Sequence, residues 1–371
     1  MPIKRANDRC FWFIAALTAT SVGWADEPHM WLERMNQALT TRNYDGVFSH
    51  WQGSKVETLR IIHRVKDGAV TERLVSLDGS GREFIRSGNE LACYLPDKRT
   101  VLVEKRPDQG LLLGGLPTFD NSQSDVYEIT ALKRIRHMGR EARLIAVTPK
   151  DEFRYGYRLY IDESTAMPLR TQLCDSRGRV IEQVVFASLT LPSHIPDSAF
   201  KPDISTEGFQ WLRNGGGPAL ASNGAPPAMW SALRLPPGFR MSARGAQMMP
   251  GATDPVAHLV FTDGIASVSV FVESRQKTSI DRNVSGTARV GSASAFSTVV
   301  DGHQVTAVGE VPLETVQFIA KSVKAQSQEV AAPTSGLSLQ SSGSSLRTPA
   351  QATPRPTGIS SGSVSPGPPQ R

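Results

Sequence analysis

Histidines are the residues of this chain best suited to acid–base or metal chemistry, but their spacing supports neither. A metal or catalytic site is usually indicated by two histidines at helical spacing or by a histidine close to a glutamate. No two histidines here form such a pattern, and the sequence has no nucleophile elbow, phosphate-binding loop or paired-carboxylate motif. We therefore expect a protein that is not an enzyme and that needs no metal or other cofactor. The seven histidines are His29, His50, His63, His137, His194, His258 and His303.

The neighbouring residues suggest a structural role for His63 and for the charged run at 151–154. His63 falls on the apolar side of a predicted strand, which favours a hydrogen-bonded histidine in the core; a role in sensing pH stays open. Asp151 and Glu152 stand beside Arg154, and we interpret this short charged run as a solvated loop.

Short strands joined by tight turns position these residues. From residue 57 to residue 106 apolar and polar residues alternate, and glycine-containing turns such as Asp67-Gly68 and Asp78-Gly79 separate the runs. Further strands are predicted to residue 191, and a helix whose apolar face includes Trp31, Met35 and Leu39 precedes them all. The sequence thus predicts an α+β fold, with a large, curved antiparallel half-barrel sheet packed against a helix.

The rest of the chain divides by composition. Residues 1–25 resemble a cleavable export signal, although an uncleaved N-terminal anchor stays open as an alternative. We assign residues 26–213 to the large sheet domain, residues 214–228 to a flexible Gly/Pro linker, and residues 229–325 to a smaller α+β domain. Residues 326–371 are rich in Ser and Pro and are predicted to be disordered.

Charge and cysteine usage limit the partners. The chain carries 41 Lys and Arg against 35 Asp and Glu, spread singly, so no nucleic-acid-binding arm is indicated. A weak positive field suits anionic lipid headgroups or an acidic peptide. After export two cysteines remain, Cys93 and Cys174; free thiols are the expectation, and a disulfide between them stays open.

Two sets of phrases carry a family resemblance. ETLRIIHR (57–64), ERLVSLDG (72–79), REFIR (82–86) and CYLPDKR (93–99) resemble the periplasmic RseB/MucB family. FTDGIASVSVFVE (261–273) and VTAVGEVPLETVQFIAKSV (305–323) resemble the C-terminal domain of the same family. Two matches in the correct order are more specific than either alone.

The resemblance implies a regulator of an envelope-stress sigma factor. Such a protein binds the periplasmic segment of a transmembrane anti-sigma factor (RseA/MucA-like), shields it from a DegS-like protease, and releases it when lipopolysaccharide or lipoprotein acyl chains bind. It also implies that the first domain is similar to the lipoprotein carriers LolA and LolB, and that the protein works in the periplasm. A plain periplasmic lipid carrier of LolA type is the alternative function, a periplasmic hydrolase is a weaker one, and the formation of a homo-oligomer stays open.

Candidate lipid-binding residues follow from an apolar segment and from the charges around it. The segment 109–117 is rich in leucine and glycine, and it is interpreted either as a lid over an apolar cavity or as a cover for one end of the sheet. Arginines at the rim of a concave sheet could bind lipid phosphates. The candidates are Leu111, Leu112, Leu113, Leu116, Arg82, Arg86 and Arg99, with Gly215, Gly216 and Gly217 as the hinge.

Overall fold

The computed structural model describes residues 27–105, 112, 123–214, 230–247, 255–274 and 285–325. The predicted export signal, the linker glycines Gly215 to Gly217 and the Ser/Pro-rich tail lie outside these ranges. None of the helices within them is long and apolar enough to span a membrane.

The first helix, α1 (Pro28–Thr41), forms where its apolar spacing predicts it. Pro28 lies in its first turn, where the missing N–H costs no hydrogen bond. The helix ends before Tyr44, which is fully buried and begins the first strand, so the residues Tyr44-Asp45-Gly46 are part of a strand and form no turn. The residues that α1 buries against the large sheet are Trp31, Leu32, Met35, Ala38 and Leu39.

The large sheet has twelve strands among the described residues, in the order β12-β6-β5-β4-β3-β2-β1-β11-β10-β9-β8-β7. All neighbouring pairs are antiparallel except β12 with β6, which are parallel. This confirms the predicted fold class of a wide sheet packed against one helix. The strands are β1 (Tyr44–Gln52), β2 (Lys55–Lys66), β3 (Ala69–Ser76), β4 (Glu83–Ser87), β5 (Glu90–Leu95), β6 (Thr100–Lys105), β7 (Tyr127–His137), β8 (Arg140–Pro149), β9 (Gly156–Asp162), β10 (Pro168–Cys174), β11 (Val180–Thr190) and β12 (Gln210–Asn214).

A two-residue turn fixes the register of the first hairpin. Asp67 and Gly68 both adopt positive φ, at 51° and 77°, as a hairpin turn with matching twist requires. The turn places His63 directly opposite Glu72. Strand β2 was expected to have one exposed face, but Ile62 on that face is buried under Ile195 and Phe200, so both faces are covered there.

Among the described residues the smaller domain has a six-stranded sheet, in the order β14-β15-β16-β19-β18-β17, a two-stranded sheet of β13 with β20, and one helix. Buried and less buried residues alternate along β16 and β19, whereas all five residues of β17 are exposed. Helix α2 (Leu313–Ser322) buries Val316, Ile319 and Ala320 in the core of this domain. The strands are β13 (Trp230–Ala232), β14 (Arg240–Gln247), β15 (Val256–Thr262), β16 (Ser267–Ser274), β17 (Gly286–Val290), β18 (Ala293–Val300), β19 (His303–Gly309) and β20 (Val323–Ala325).

The two cysteines are not joined by a disulfide. Cys93 is half-buried in β5, Cys174 is buried in β10, and neither forms a disulfide with the other. The stability of the large sheet therefore rests on packing and hydrogen bonding.

Candidate functional site

The two domains, hereafter the N-lobe (27–214) and the C-lobe (230–325), meet at a buried arginine. Arg154 follows β8, and its side chain is fully buried. It donates through Nη1 to Asp263 of the C-lobe at 2.7 Å and through Nη2 to the Pro237 carbonyl at 2.5 Å. Asp151 accepts from Nε and Nη2 at 2.9 and 3.0 Å. The expectation of a solvated loop is therefore wrong, because Arg154 and Asp151 form part of the lobe junction.

Asp263 is held in place by its own turn. Its Oδ1 accepts the backbone N–H groups of Ile265 and Ala266 in the β15–β16 connection, leaving Oδ2 to face the N-lobe. There Oδ2 accepts from Tyr127 at 3.1 Å as well as from Arg154. Burial, followed by the charge of Asp263, raises the pKa of Tyr127 well above its usual range, so the phenol remains a donor. A buried charge pair is tolerated only when its remaining hydrogen-bonding capacity is filled in this way.

Helix α2 supplies a second part of the junction. Thr315 is fully buried, and its hydroxyl donates to the Phe153 carbonyl at 2.7 Å. The ring of Phe153 meets that of Phe318 edge to face, with centroids 5.5 Å apart. These contacts join the turn that carries Arg154 to the core helix of the C-lobe, so the position of one lobe constrains the other.

A third contact brings titratable groups of both lobes together. In the N-lobe, Glu182 accepts from Gln52 at 3.2 Å and lies 2.7 Å from His50 Nε2. In the C-lobe, Ser292 donates a short hydrogen bond to Glu310. Gly291 lies against this pair, since a Cβ at that position would overlap the end of the Gln52 side chain.

Burial and hydrogen bonding shift the pKa values of the three titratable groups in this cluster. The hydrogen bond with Glu182 raises the pKa of His50, against an opposing effect of burial. Burial alone would raise the pKa of Glu182, but hydrogen bonds from His50, Ser292 and Gln52 lower it. Burial and the charge of Glu182 raise the pKa of Glu310. The pKa values of His50 and Glu310 are thus raised and that of Glu182 is lowered, and Glu310 of the C-lobe contributes to the shift at His50.

A separate polar row lies across the face of the large sheet that packs on α1. Strand register places Tyr44 opposite His63, His63 opposite Glu72, and Glu72 opposite Arg86. The first three are fully buried, and the rings of Tyr44 and His63 are stacked 4.5 Å apart. Arg86 lies 3.3 Å from Glu72, which also accepts the backbone N–H of Leu112.

The row has unused hydrogen-bonding capacity. Tyr44 Oη, His63 Nε2 and Glu72 Oε1 are buried and have no hydrogen-bond partner among the described residues. His63 Nδ1 lies 2.9 Å from the Arg42 carbonyl, which can only accept, so Nδ1 carries the proton and Nε2 is an acceptor. Burial lowers the pKa of His63 to about 4 and raises the pKa of Glu72. Such groups cost free energy when buried alone, so the row suits a polar ligand group.

The predicted site residues can be placed in part. Arg82 pairs with Glu57 and Arg86 with Glu72, so each rim arginine meets a carboxylate on the α1 face. Arg99 adopts a left-handed backbone in the β5–β6 turn, at the same end of the sheet as Arg82. Leu112 is half-buried and packs against the core, whereas Leu111, Leu113, Leu116 and the hinge glycines Gly215, Gly216 and Gly217 lie outside the described residues.

Sequence reasoning missed the residues that join the lobes. Arg154 and Asp263 are 109 positions apart, and no local pattern links them. The only available signal was the turn sequence Thr262-Asp263-Gly264, in which an aspartate that caps its own backbone is common. This signal predicts the conformation of Asp263 and not its partner.

Within the described ranges no three His, Cys, Asp or Glu side chains converge in a way that could hold a metal ion.

Two family models match the chain, one on each lobe. The model of the MucB/RseB N-terminal domain matches residues 27–204, and the model of the MucB/RseB C-terminal domain matches residues 225–324.

Relatives are similar along most of their length. Sigma factor AlgU regulatory protein MucB of Pseudomonas aeruginosa is 31% identical over 315 residues, which are 84% of this chain and 95% of the relative. Sigma-E factor regulatory protein RseB of Escherichia coli K12 is 26% identical over 301 residues, 79% of this chain and 89% of the relative.

Two solved structures also align with most of this chain. A complex of Pseudomonas aeruginosa MucA and MucB aligns with a TM-score of 0.63 at 29% identity, covering 81% of this chain and 99% of the other. A structure of MucB with MucA(peri) aligns with a TM-score of 0.63 at 28% identity and covers 81% of this chain and 100% of the other.

Proposed function

This chain belongs to the MucB/RseB family, and on that premise we propose that it binds the periplasmic segment of a membrane-spanning, RseA/MucA-like anti-sigma factor. The supporting observation is similarity that extends over both lobes to a relative solved in complex with MucA. In this proposal the chain acts in the periplasm as a regulator without an enzymatic step. Binding shields the segment from a DegS-like protease, so the sigma factor stays sequestered.

Shielding requires two lobes in a defined relative position. The Arg154–Asp263 pair, the Thr315–Phe153 hydrogen bond and the Glu182 cluster together set that position. We assign capture of the segment to the C-lobe and to the cleft between the lobes. A preset arrangement lowers the ordering cost of binding an extended segment.

Lipid is the proposed release signal. The candidate lipid-binding residues are Leu111, Leu112, Leu113, Leu116, Arg82, Arg86 and Arg99. An acyl chain on the α1 face of the sheet would gain about 0.8 kcal/mol for each buried methylene. The polar row would meet the polar part of such a lipid, since Glu72 Oε1 and His63 Nε2 offer acceptors inside an apolar surface. Displacing the leucine segment would break the Leu112–Glu72 hydrogen bond.

Release also requires that lipid prefers one arrangement of the lobes. A ligand shifts an equilibrium only by the difference between its affinities for the two states. The connector that contains Gly215, Gly216 and Gly217 is the proposed hinge for that change. Deleting these three glycines is expected to impair lipid-induced release more than segment binding, with deletion of residues 361–363 of the tail as the control. Equal loss of both activities would remove the hinge from the proposal.

Protease protection tests the proposed function. The purified anti-sigma segment is incubated with a DegS-like protease, with and without the chain, and the intact fraction is followed over time. The expected result is protection that saturates at one chain per segment and disappears when lipopolysaccharide is added. Cleavage at an unchanged rate would refute the shielding function.

A further inference from the structure

A second row of polar residues, distinct from the one that begins at Tyr44, crosses the face of the large sheet opposite α1. An exposed tryptophan lies at one end of this second row. Trp51 stands three residues after Phe48, whose side chain packs in the core with α1, so Trp51 points to the other face. Its side chain remains 45% exposed. Strand register places Trp51 opposite Gln183, Gln183 opposite Gln172, and Gln172 opposite Arg158. The row therefore crosses four adjacent strands on one face.

Two clefts occupy this face. The first has a volume of about 300 Å³, and its lining combines polar and apolar residues: Trp51, Gly53, Arg170, Gln172, Val180, Ile181, Glu182 and Gln183. The second, of about 160 Å³, lies at the other end of the row and is bordered by Arg158 and Cys174. Neighbouring strands are about 4.8 Å apart, so the row from β1 to β9 spans about 14 Å. This length matches a short chain of linked rings.

The polar side chains of the row are held in fixed orientations. Gln183 Oε1 accepts from Arg170 at 2.8 Å and from Gln172 at 3.1 Å, which fixes the orientation of its amide and leaves its NH₂ group for another acceptor. The Arg170 guanidinium lies 5.2 Å from the ring of Tyr160. Its Nε is buried and has no hydrogen-bond partner among the described residues. The row thus places the NH₂ group of Gln183, held in a fixed orientation, beside the indole of Trp51.

These side chains favour binding of a sugar over binding of a peptide or an acyl chain. An extended peptide binds to a sheet by adding a strand at an edge, whereas these strands have neighbours on both sides. An acyl chain gains nothing from two glutamines and two arginines. A sugar ring presents C–H groups to an aromatic face and ring and hydroxyl oxygens to N–H donors. A row of fixed donors beside an exposed indole suits that combination.

We propose that this face binds a glycan, with an oligosaccharide lying across β1, β11, β10 and β9 and one sugar ring stacked on Trp51. Gln183 and Arg170 donate to the oxygens of the rings that follow, and Arg158 borders the site of the last ring. Trp51 points away from its neighbours His50 and Gln52 in β1. The surface borders the lobe junction, since Glu182 lines the first cleft and Asp151 lines the second. A glycan on this face would be a second ligand beside the proposed anti-sigma factor segment.

The test uses the purified chain and three defined probes: chitotetraose, cellotetraose and tetragalacturonate. Tryptophan fluorescence and isothermal titration calorimetry measure binding. The expected result is saturable binding of at least one probe, weakened at least about tenfold in Trp51→Ala. Gln183→Ala is expected to weaken the same probe. Tighter binding of the acidic probe would identify Arg158 and Arg170 as charge partners and would support the proposal.

Trp211→Ala is the matched control, because Trp211 is 48% exposed on β12 at the far edge of the same sheet. Its affinity for the probe should stay within about twofold of the unsubstituted chain. Failure of all three probes to bind saturably, or equal losses in Trp51→Ala and Trp211→Ala, would overturn the proposal. Retained binding of the anti-sigma factor segment by Trp51→Ala would show that the variant is folded and that the two functions are distinct.

Discussion

Arg154 and Asp263 form a fully buried ion pair across the two lobes, with Nη1 and Oδ2 2.7 Å apart. The pair is completed by Asp151 and Tyr127, so neither charge is left without hydrogen bonds. The lobes are therefore joined by a polar contact whose parts depend on one another.

Removing one member of this pair is expected to be costly. Asp263→Ala leaves the Arg154 guanidinium buried with one carboxylate fewer, and loss of a partner from a buried pair costs about 3–5 kcal/mol. Urea unfolding followed by circular dichroism measures the loss. Asp45→Ala is the control: Asp45 pairs with Arg60 at the surface, and its loss should cost under about 1 kcal/mol. Equal losses would show that the lobe junction is not a stabilising contact.

Gly291 offers an independent test of the junction. Gly291 and Gly302 have similar positive φ values, 61° and 77°, so alanine at either position pays the same backbone cost of about 1–2 kcal/mol. A Cβ at Gly302 meets no atom within 4 Å, whereas at Gly291 it meets Gln52 of the N-lobe. The end of the flexible Gln52 side chain can move aside, but it then loses its hydrogen bond to Glu182. Gly291→Ala should therefore lose about 0.5–1.5 kcal/mol more of unfolding free energy than Gly302→Ala. No difference between the two variants would contradict the close approach.

The His50 cluster predicts a loss of stability at alkaline pH. The pKa of His50 is raised in the folded chain by Glu182, so its contribution is complete below the ordinary value of about 6.5 and is lost as the pH rises through the raised pKa. Glu310 and Glu57 also face His50 and act in the same direction. Unfolding free energies measured between about pH 6 and pH 9 should fall less steeply in His50→Gln than in the unsubstituted chain. Parallel curves would refute this linkage.

His63 predicts the opposite dependence in acid. Its pKa is lowered to about 4, so the unfolded chain takes up a proton near pH 6.5 that the folded chain accepts only near pH 4. Stability should therefore fall by up to about 3 kcal/mol between these values. His63→Phe keeps a ring against Tyr44 and cannot titrate, so its curve should lack this loss. A loss of the same size in the variant would show that another group is responsible.

Most of the fold could be predicted from local sequence patterns, namely strand alternation and turn residues. Alternation located the strands between residues 57 and 106, and the Asp67-Gly68 turn fixed the β2–β3 register. That turn also placed His63 opposite Glu72, so part of the polar row was accessible from spacing alone. Strand β17 was missed because all five of its residues are exposed and it shows no alternation.

The lobe junction could not be predicted for a different reason. Asp151 and Arg154 have the composition of a surface turn, and their burial depends on Asp263 and Pro237 arriving from distant parts of the chain. A long-range ion pair leaves no periodic signal in the sequence. The family resemblance supplied the lobes and the expected partner, whereas the contacts between the lobes required the structure.

The most direct test of the central claim is calorimetric titration of the purified chain with the periplasmic segment of the anti-sigma factor from the same organism, with and without lipopolysaccharide. The account predicts saturable binding at a ratio of one to one, weakened at least about tenfold by the lipid. Absence of binding, together with uptake of acyl cargo, would contradict it and would indicate a periplasmic lipid carrier.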